Sequence, residues 1–296
     1  MFSSLLAYEF MQNAFITGLM IGAIAPLLGM FLVMRRMALL ADAFSHITLA
    51  GVAIGMYIGK AMPQLAYLSP IYTGVIFTAI ASFFSEKLRS IYRDFQDLPL
   101  PIIMSAGVGI SVIFISLADG FNTDLHGYLF GSISAISRSD VLFIILLAVI
   151  VLIVILSLYK ELLLLSFDEE YANVTGVKAK FVNRLFILVV ALVIACAIQI
   201  TGVLLVSSLM VLPVATAMRI GRSFKQTCIF AIVLGELSVV LGIFVAYELN
   251  MPPGGVVVMI SLLQLIAVNF LGKTRLYRIV HSIIPRKIRS SIDLKS

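Results

Sequence analysis

Nine apolar runs, each about as long as a bilayer crossing, alternate along this chain with short polar breaks that hold most of its charge. They lie near 12–34, 38–59, 66–85, 99–118, 139–158, 182–200, 202–218, 227–247 and 254–271. A helix needs about 20 predominantly apolar residues to cross the hydrocarbon core. The pattern therefore predicts an all-α, polytopic membrane protein of about nine spans. Only Ile200-Thr201-Gly202 separates the sixth run from the seventh, and fusing them would leave eight.

Composition leads to the same class. With 61% hydrophobic residues, 12% charged residues and a mean hydropathy of +1.11, the chain has more apolar surface than a soluble domain of its length could bury. Its net charge of +6 does not point to nucleic acid, because the basic residues fall in short clusters between apolar runs rather than on one soluble face. Cys196 and Cys228 sit in apolar segments without Cys-x-x-Cys spacing. Buried, inert thiols are expected rather than a disulfide or a thiolate metal site. The opening Met1-Phe-Ser-Ser-Leu-Leu-Ala-Tyr-Glu9 has neither a basic n-region nor a cleavage site, so the first run is expected to remain as a span.

Charge asymmetry sets the expected sidedness. Alternating nine spans from an external N-terminus leaves only Lys60 and Arg138, of 21 lysines and arginines, on the outer side. By the positive-inside rule the crowded side is cytoplasmic, and the C-terminus lies there. The chain divides into a transmembrane domain, 1–272, and a basic cytoplasmic tail, 273–296, suited to the anionic lipid of the inner leaflet.

Two connecting segments stand out. The outer one, from Asp119 through Asp124, His126 and Phe130 to Ile133, mixes turn residues with a short amphipathic stretch, as an interfacial helix or external gate would. The inner one, about 166–177, reads as a short helix with Ser166 as its cap, Glu169 completing a capping box and Gly176 ending it. Such a helix between two spans suits docking of a cytoplasmic partner; an ordinary loop is the plainer reading.

The chemistry centres on Asp42 and His46, one helical turn apart in a run otherwise fit for lipid. Residues at i and i+4 share a helix face. An ionisable pair inside a span is expensive unless it lines a polar path or binds an ion. Carboxylate oxygen and imidazole nitrogen both ligate zinc, manganese and iron. Two donors are too few to trap an ion, which suits transport, and two copies about a two-fold axis would bring four together. The alternative is an internal hydrogen bond that only neutralises the pair. Ser45 can orient water beside them. Gln199, Glu236 and Gln264 also lie within spans, as path-lining or packing residues, and Gly18/Gly22 and Gly51/Gly55 have the spacing of close helix packing. No complete phosphate-binding loop precedes Gly272-Lys273-Thr274, because Ala267 stands where its first glycine belongs, and no protease or esterase motif is present. ATP, if used, is used by another chain.

Arg35-Arg36-x-x-Leu39-x-x-Asp42-Ala-x-Ser45-His46-x-x-Leu49-x-Gly51-Val52-Ala53 resembles the signature of the membrane subunits of bacterial ATP-binding-cassette importers for zinc and manganese. The resemblance continues through 129–133, 167–176, 202–217 and 253–258. It implies a type II, cobalamin-importer-like permease fold and a homodimer around a central path. It also implies a bacterial plasma membrane, two cytoplasmic ATPase subunits and an extracytoplasmic metal-binding protein. By resemblance, Asp42 and His46 are metal contacts. Phe167, Asp168, Glu169, Glu170, Ala172 and Gly176 belong to the coupling helix, and the segment around Asp124, His126 and Phe130 lies near the outer gate and docking surface. Zinc is favoured over manganese as cargo by 8–12, 25–29 and Arg35-Arg36, which resemble the zinc branch; iron is a further option. From another class, a proton-coupled secondary metal transporter would use the Asp–His pair as a relay, but it needs inverted repeats that the sequence does not display.

Overall fold

The computed structural model describes residues 8–65, 69–92, 95, 98–118, 123–132, 134, 136–203 and 205–283. Its helices are α1 (Glu9–Met34), α2 (Leu39–Ala61), α3 (Pro70–Ile91), α4 (Pro99–Leu117), α5 (Thr123–Phe130), α6 (Arg138–Ser157), α7 (Tyr159–Phe167), α8 (Glu169–Val174), α9 (Ala179–Thr201), α10 (Val206–Ile220), α11 (Phe224–Leu249) and α12 (Pro253–Ile283). Nine long helices stand where the nine apolar runs predict them. Seven are long and apolar enough to cross a membrane. The exceptions are α10, whose 15 residues span only about 22 Å at 1.5 Å per residue, and α3, whose Thr73, Thr78, Ser82, Ser85, Glu86 and Lys87 dilute its hydropathy.

Local sequence explains most boundaries. Pro70 occupies the first turn of α3, where a missing N–H is harmless. Ser137 and Asp140 form a reciprocal capping box that starts α6. The break between the sixth and seventh runs is real: Gly202, at φ +75°, ends α9. Asn250 closes α11 in the left-handed region, with Pro252 and Pro253 behind it.

Helix ends meet as alternation requires. The Glu9–Arg138 ion pair joins the starts of α1 and α6, and Lys60 donates to the Leu117 carbonyl between the ends of α2 and α4. On the opposite side, Arg184 bridges Glu86 at 2.7 Å and Arg35 donates to Asn183 at 2.6 Å.

Burial separates inner helices from outer ones. In α1, α2 and α9, 67% of the most apolar stretch is buried, against 28–33% in α4, α6 and α12. The exposed Val112, Ile113, Leu142, Leu146 and Leu156 on α4 and α6 form apolar flanks suited to lipid. In membranes, close approach through small residues replaces the hydrophobic drive between helices. The predicted glycine pairs act this way: Gly18 and Gly22 sit under Val239 and Ile243 of α11, and Gly51 and Gly55 lie against α3 at Gly74 and Pro70.

Candidate functional site

The α2 helix is clamped by α3 and α4. A Cβ on Gly51 would lie 2.7 Å from the Gly74 Cα, and one on Gly107 of α4 would lie 2.8 Å from the His46 carbonyl carbon. Thr48 and Thr78 share a buried 2.7 Å hydrogen bond across the α2–α3 seam. At 100° per residue, His46 points about 200° around the helix from Thr48, away from that seam.

Asp42 and His46 are partly buried, while Ala41, Ala43, Phe44, Ser45 and Ile47 between and beside them are fully buried. With Leu39, which is 56% exposed, they make a partly open i, i+3, i+7 stripe on an otherwise enclosed stretch of helix. Neither side chain makes a hydrogen bond or ion pair among the described residues, so the internal hydrogen bond of the plainer reading is not formed. Asp42 lies in the first turn of α2, where the helix dipole favours a carboxylate. Among the described residues, no group of three or more His, Cys, Asp or Glu could hold a metal. A single chain thus presents one oxygen donor and one nitrogen donor on an open face.

Ser45 is not on that face. It is 1% exposed, and its hydroxyl donates to the Ala41 carbonyl at 2.8 Å. Glu236 is on α11 over Gly22, whose Cβ would lie 3.5 Å from the Glu236 Cα. Its Oε2 is buried without a hydrogen-bond partner, as is Oε1 of Gln264 on α12. Such atoms carry a desolvation penalty, so Glu236 needs a ligand, a water or a proton. Gln199 lies on α9, but its side chain is outside the described residues.

On the opposite side from Lys60, α8 is a single short turn of helix with two well-formed ends. Asp168 caps it by accepting from the Tyr171 N–H at 2.8 Å. Ser166 instead ends the preceding helix and donates to Leu162, so the predicted cap moves by two residues: α7 extends through Phe167 and absorbs the serine. Gly176, at φ +84°, donates to Asn173 while Val177 donates to Ala172; this paired arrangement satisfies the last carbonyls. Ala172 is fully buried, while Glu170 and Tyr171 face solvent. The side chain of Glu169 is outside the described residues. Phe167 rests on Phe224 at 6.3 Å, and Phe224 packs on the buried Phe31 at 5.4 Å. Aromatic contact therefore runs from the end of α7, just before the short helix, to the core of α1, a connection between residues too distant in sequence to be read from spacing.

On the other side, α5 carries His126 exposed and stacked 4.8 Å from Phe130; the side chain of Asp124 is outside the described residues. Val203 donates to the Tyr128 carbonyl at 2.9 Å. Gly131, Gly202 and Gly254 each press on backbone carbonyls of the other segments. Three separate motif blocks thus converge in one glycine-dependent knot, whose Gly131 and Gly202 also have positive φ.

Known proteins are similar to this chain along nearly its whole length. Residues 7–271 match the family model described as the ABC 3 transport family. The chain is 38% identical over 274 residues to a Treponema pallidum protein named "Probable metal transport system membrane protein", covering 92% of this chain and 100% of that one. It is 33% identical over 270 residues to the "Manganese import system permease protein ScaB" of Streptococcus gordonii, covering 91% and 94%. The solved structure of "PsaBC from Streptococcus pneumoniae in complex with Fab" superposes with a TM-score of 0.80 at 28% identity, over 95% of this chain and 98% of that one.

Proposed function

This chain belongs to the ABC 3 transport family, as a membrane permease of ATP-binding-cassette metal importers, and we propose from that premise how it moves its cargo. ATP hydrolysis belongs to a separate subunit, and this chain supplies the passage. Two copies face each other across a two-fold axis, and Asp42 and His46 of each copy line the path between them. The observation that carries this reading is the partly open Asp42–His46 stripe, which makes no hydrogen bond among the described residues, on one of the most enclosed helices.

Two carboxylates and two imidazoles would surround a divalent ion with hard oxygen and borderline nitrogen donors, a set open to manganese, iron and zinc. Zinc is the sequence expectation. Several relatives are named as manganese systems, and they support manganese as the first cargo to test. Glu236, with its buried unpaired oxygen, stands one helix away as a secondary polar point.

The lysine- and arginine-rich side is cytoplasmic, and α8 is the coupling helix that enters an ATPase subunit. An extracytoplasmic metal-binding protein docks on the opposite side near α5. Residues 1–272 form the permease body and 273–296 the basic tail; α12 continues to Ile283 and begins that tail as helix. Residues 284–296 lie outside the described residues.

The test is ATP-driven uptake into vesicles containing this chain, its ATPase and its binding protein, with manganese and zinc supplied separately and in competition. ATP-dependent uptake of one metal that the other fails to displace names the cargo. Uptake driven by a proton gradient without ATP would replace this reading with a secondary transporter.

A further inference from the structure

On the basic side the ends of α3 and α9 enclose one groove, and a second adjoins it where α8 runs into α9. One, of about 460 Å³, is lined by Phe83, Glu86, Lys87, Ser90, Lys180 and Arg184. The other, of about 410 Å³, shares Lys180 and Arg184, adds Lys178 and Phe181, and is closed by Asn173 and Val177 from the α8 side. Arg184 is paired with Glu86 at 2.7 Å, so that charge is balanced within the chain. Lys87, Lys178 and Lys180 are exposed and make no ion pair or hydrogen bond among the described residues. They leave the grooves with an uncompensated positive charge from three ammonium groups.

The apolar surroundings indicate the occupant. Phe83, Phe84 and Phe181 are 57%, 59% and 60% exposed. Phe83 shares a face with Lys87 at i+4, and lies about one turn deeper along α3 in the direction of the membrane. A rim of cations with phenylalanines below it matches a phospholipid, with its phosphate at the ammonium groups and its acyl chains against the rings. A soluble anion would leave those rings in contact with water.

We propose that the groove between α3 and α9 is a binding site for the headgroup of an anionic phospholipid. The leaflet it draws on is the cytoplasmic one, a detail that rests on the orientation proposed above; headgroup selectivity itself does not. An annular lipid held here would brace the end of α3 against α9 beside the coupling helix.

The chain has no tryptophan, so Phe181→Trp supplies a single reporter. The full-length variant in nanodiscs should be quenched more strongly by brominated phosphatidylglycerol than by brominated phosphatidylcholine. Each lysine near the surface is worth about a fivefold preference; Lys87→Gln with Lys180→Gln should bring the preference down sharply. In parallel, native mass spectrometry of the chain with Phe181 intact should show retained phosphatidylglycerol that the double variant loses. Equal quenching by the two lipids, or a preference untouched by the lysine changes, would overturn the site. Loss of the preference on adding the ATPase subunit would also overturn it, by assigning the groove to that protein. Both leaflets of the nanodisc have one composition, so a wrong orientation would leave the headgroup preference intact and show only as failed ATPase coupling.

Discussion

The hydroxyls of Thr48 and Thr78 meet at 2.7 Å in the buried seam between α2 and α3. One donates to the other while the second turns back to a carbonyl of its own helix. Together with the close packing of Gly51 on Gly74 and of Gly107 on the His46 backbone, this bond favours one rotation of α2. Because His46 is about 200° from Thr48 around the axis, pinning Thr48 inward keeps Asp42 and His46 on the partly open side.

Loss of that seam should loosen the site without removing it. Thr48→Val deletes one buried hydrogen bond and should lower stability by about 1 kcal/mol. Gly51→Leu should do far more, because even its Cβ would lie 2.7 Å from the Gly74 backbone, and overpacking typically costs about 1–3 kcal/mol. Thermal unfolding in detergent should rank parent above Thr48→Val above Gly51→Leu; equal midpoints would show that the seam does not hold α2.

Asp42→Ala and His46→Ala should abolish metal uptake and leave assembly intact. Both side chains are partly buried and make no hydrogen bond among the described residues, so stability should change by no more than about 1 kcal/mol. Asp42→Asn and His46→Gln should retain partial uptake. Size-exclusion profiles measured beside uptake separate a transport defect from misfolding, and full uptake by the alanine variants would remove the pair from the path.

Asp168→Ala removes the only side-chain cap seen on α8, a loss of about 1 kcal/mol. Gly176→Ala forces a side chain into φ +84°, at a further cost of about 1–2 kcal/mol. In a short helix each should weaken the hold on the ATPase: hydrolysis should continue while metal uptake per ATP falls. Unchanged coupling in both variants would take α8 out of that role.

Cys196 and Cys228 are 3% and 8% exposed. A membrane-permeant maleimide should leave both unmodified in the folded chain and react with both after unfolding, read by intact mass. Rapid labelling of Cys228 in the native state would mean that α11 moves away from its neighbours.

The placement of the nine helices was legible because a bilayer-length apolar run is a local property of sequence. The Asp42–His46 pair was legible for the same reason, as two ionisable groups in such a run. Ser45 was misplaced because spacing alone says nothing of which hydroxyl finds its own backbone. Ser166 was misplaced because α7 continues two residues beyond the expected helix start, leaving Asp168 to cap the next one.

The sequence by itself determined the membrane class, the number and order of the long helices, the charge asymmetry between the two sides, and the identity of the polar pair. Each depends on residues adjacent in the chain, whose hydropathy and charge act without reference to distant neighbours. Only the tertiary structure decided which face of α2 is left partly open and which polar atoms are buried without partners. It also decided that Lys87 and Lys180 share one groove, and that Gly131, Gly202 and Gly254 close one knot. Those features arise from close packing between segments far apart in the chain, where shape complementarity rather than local propensity selects the contacts.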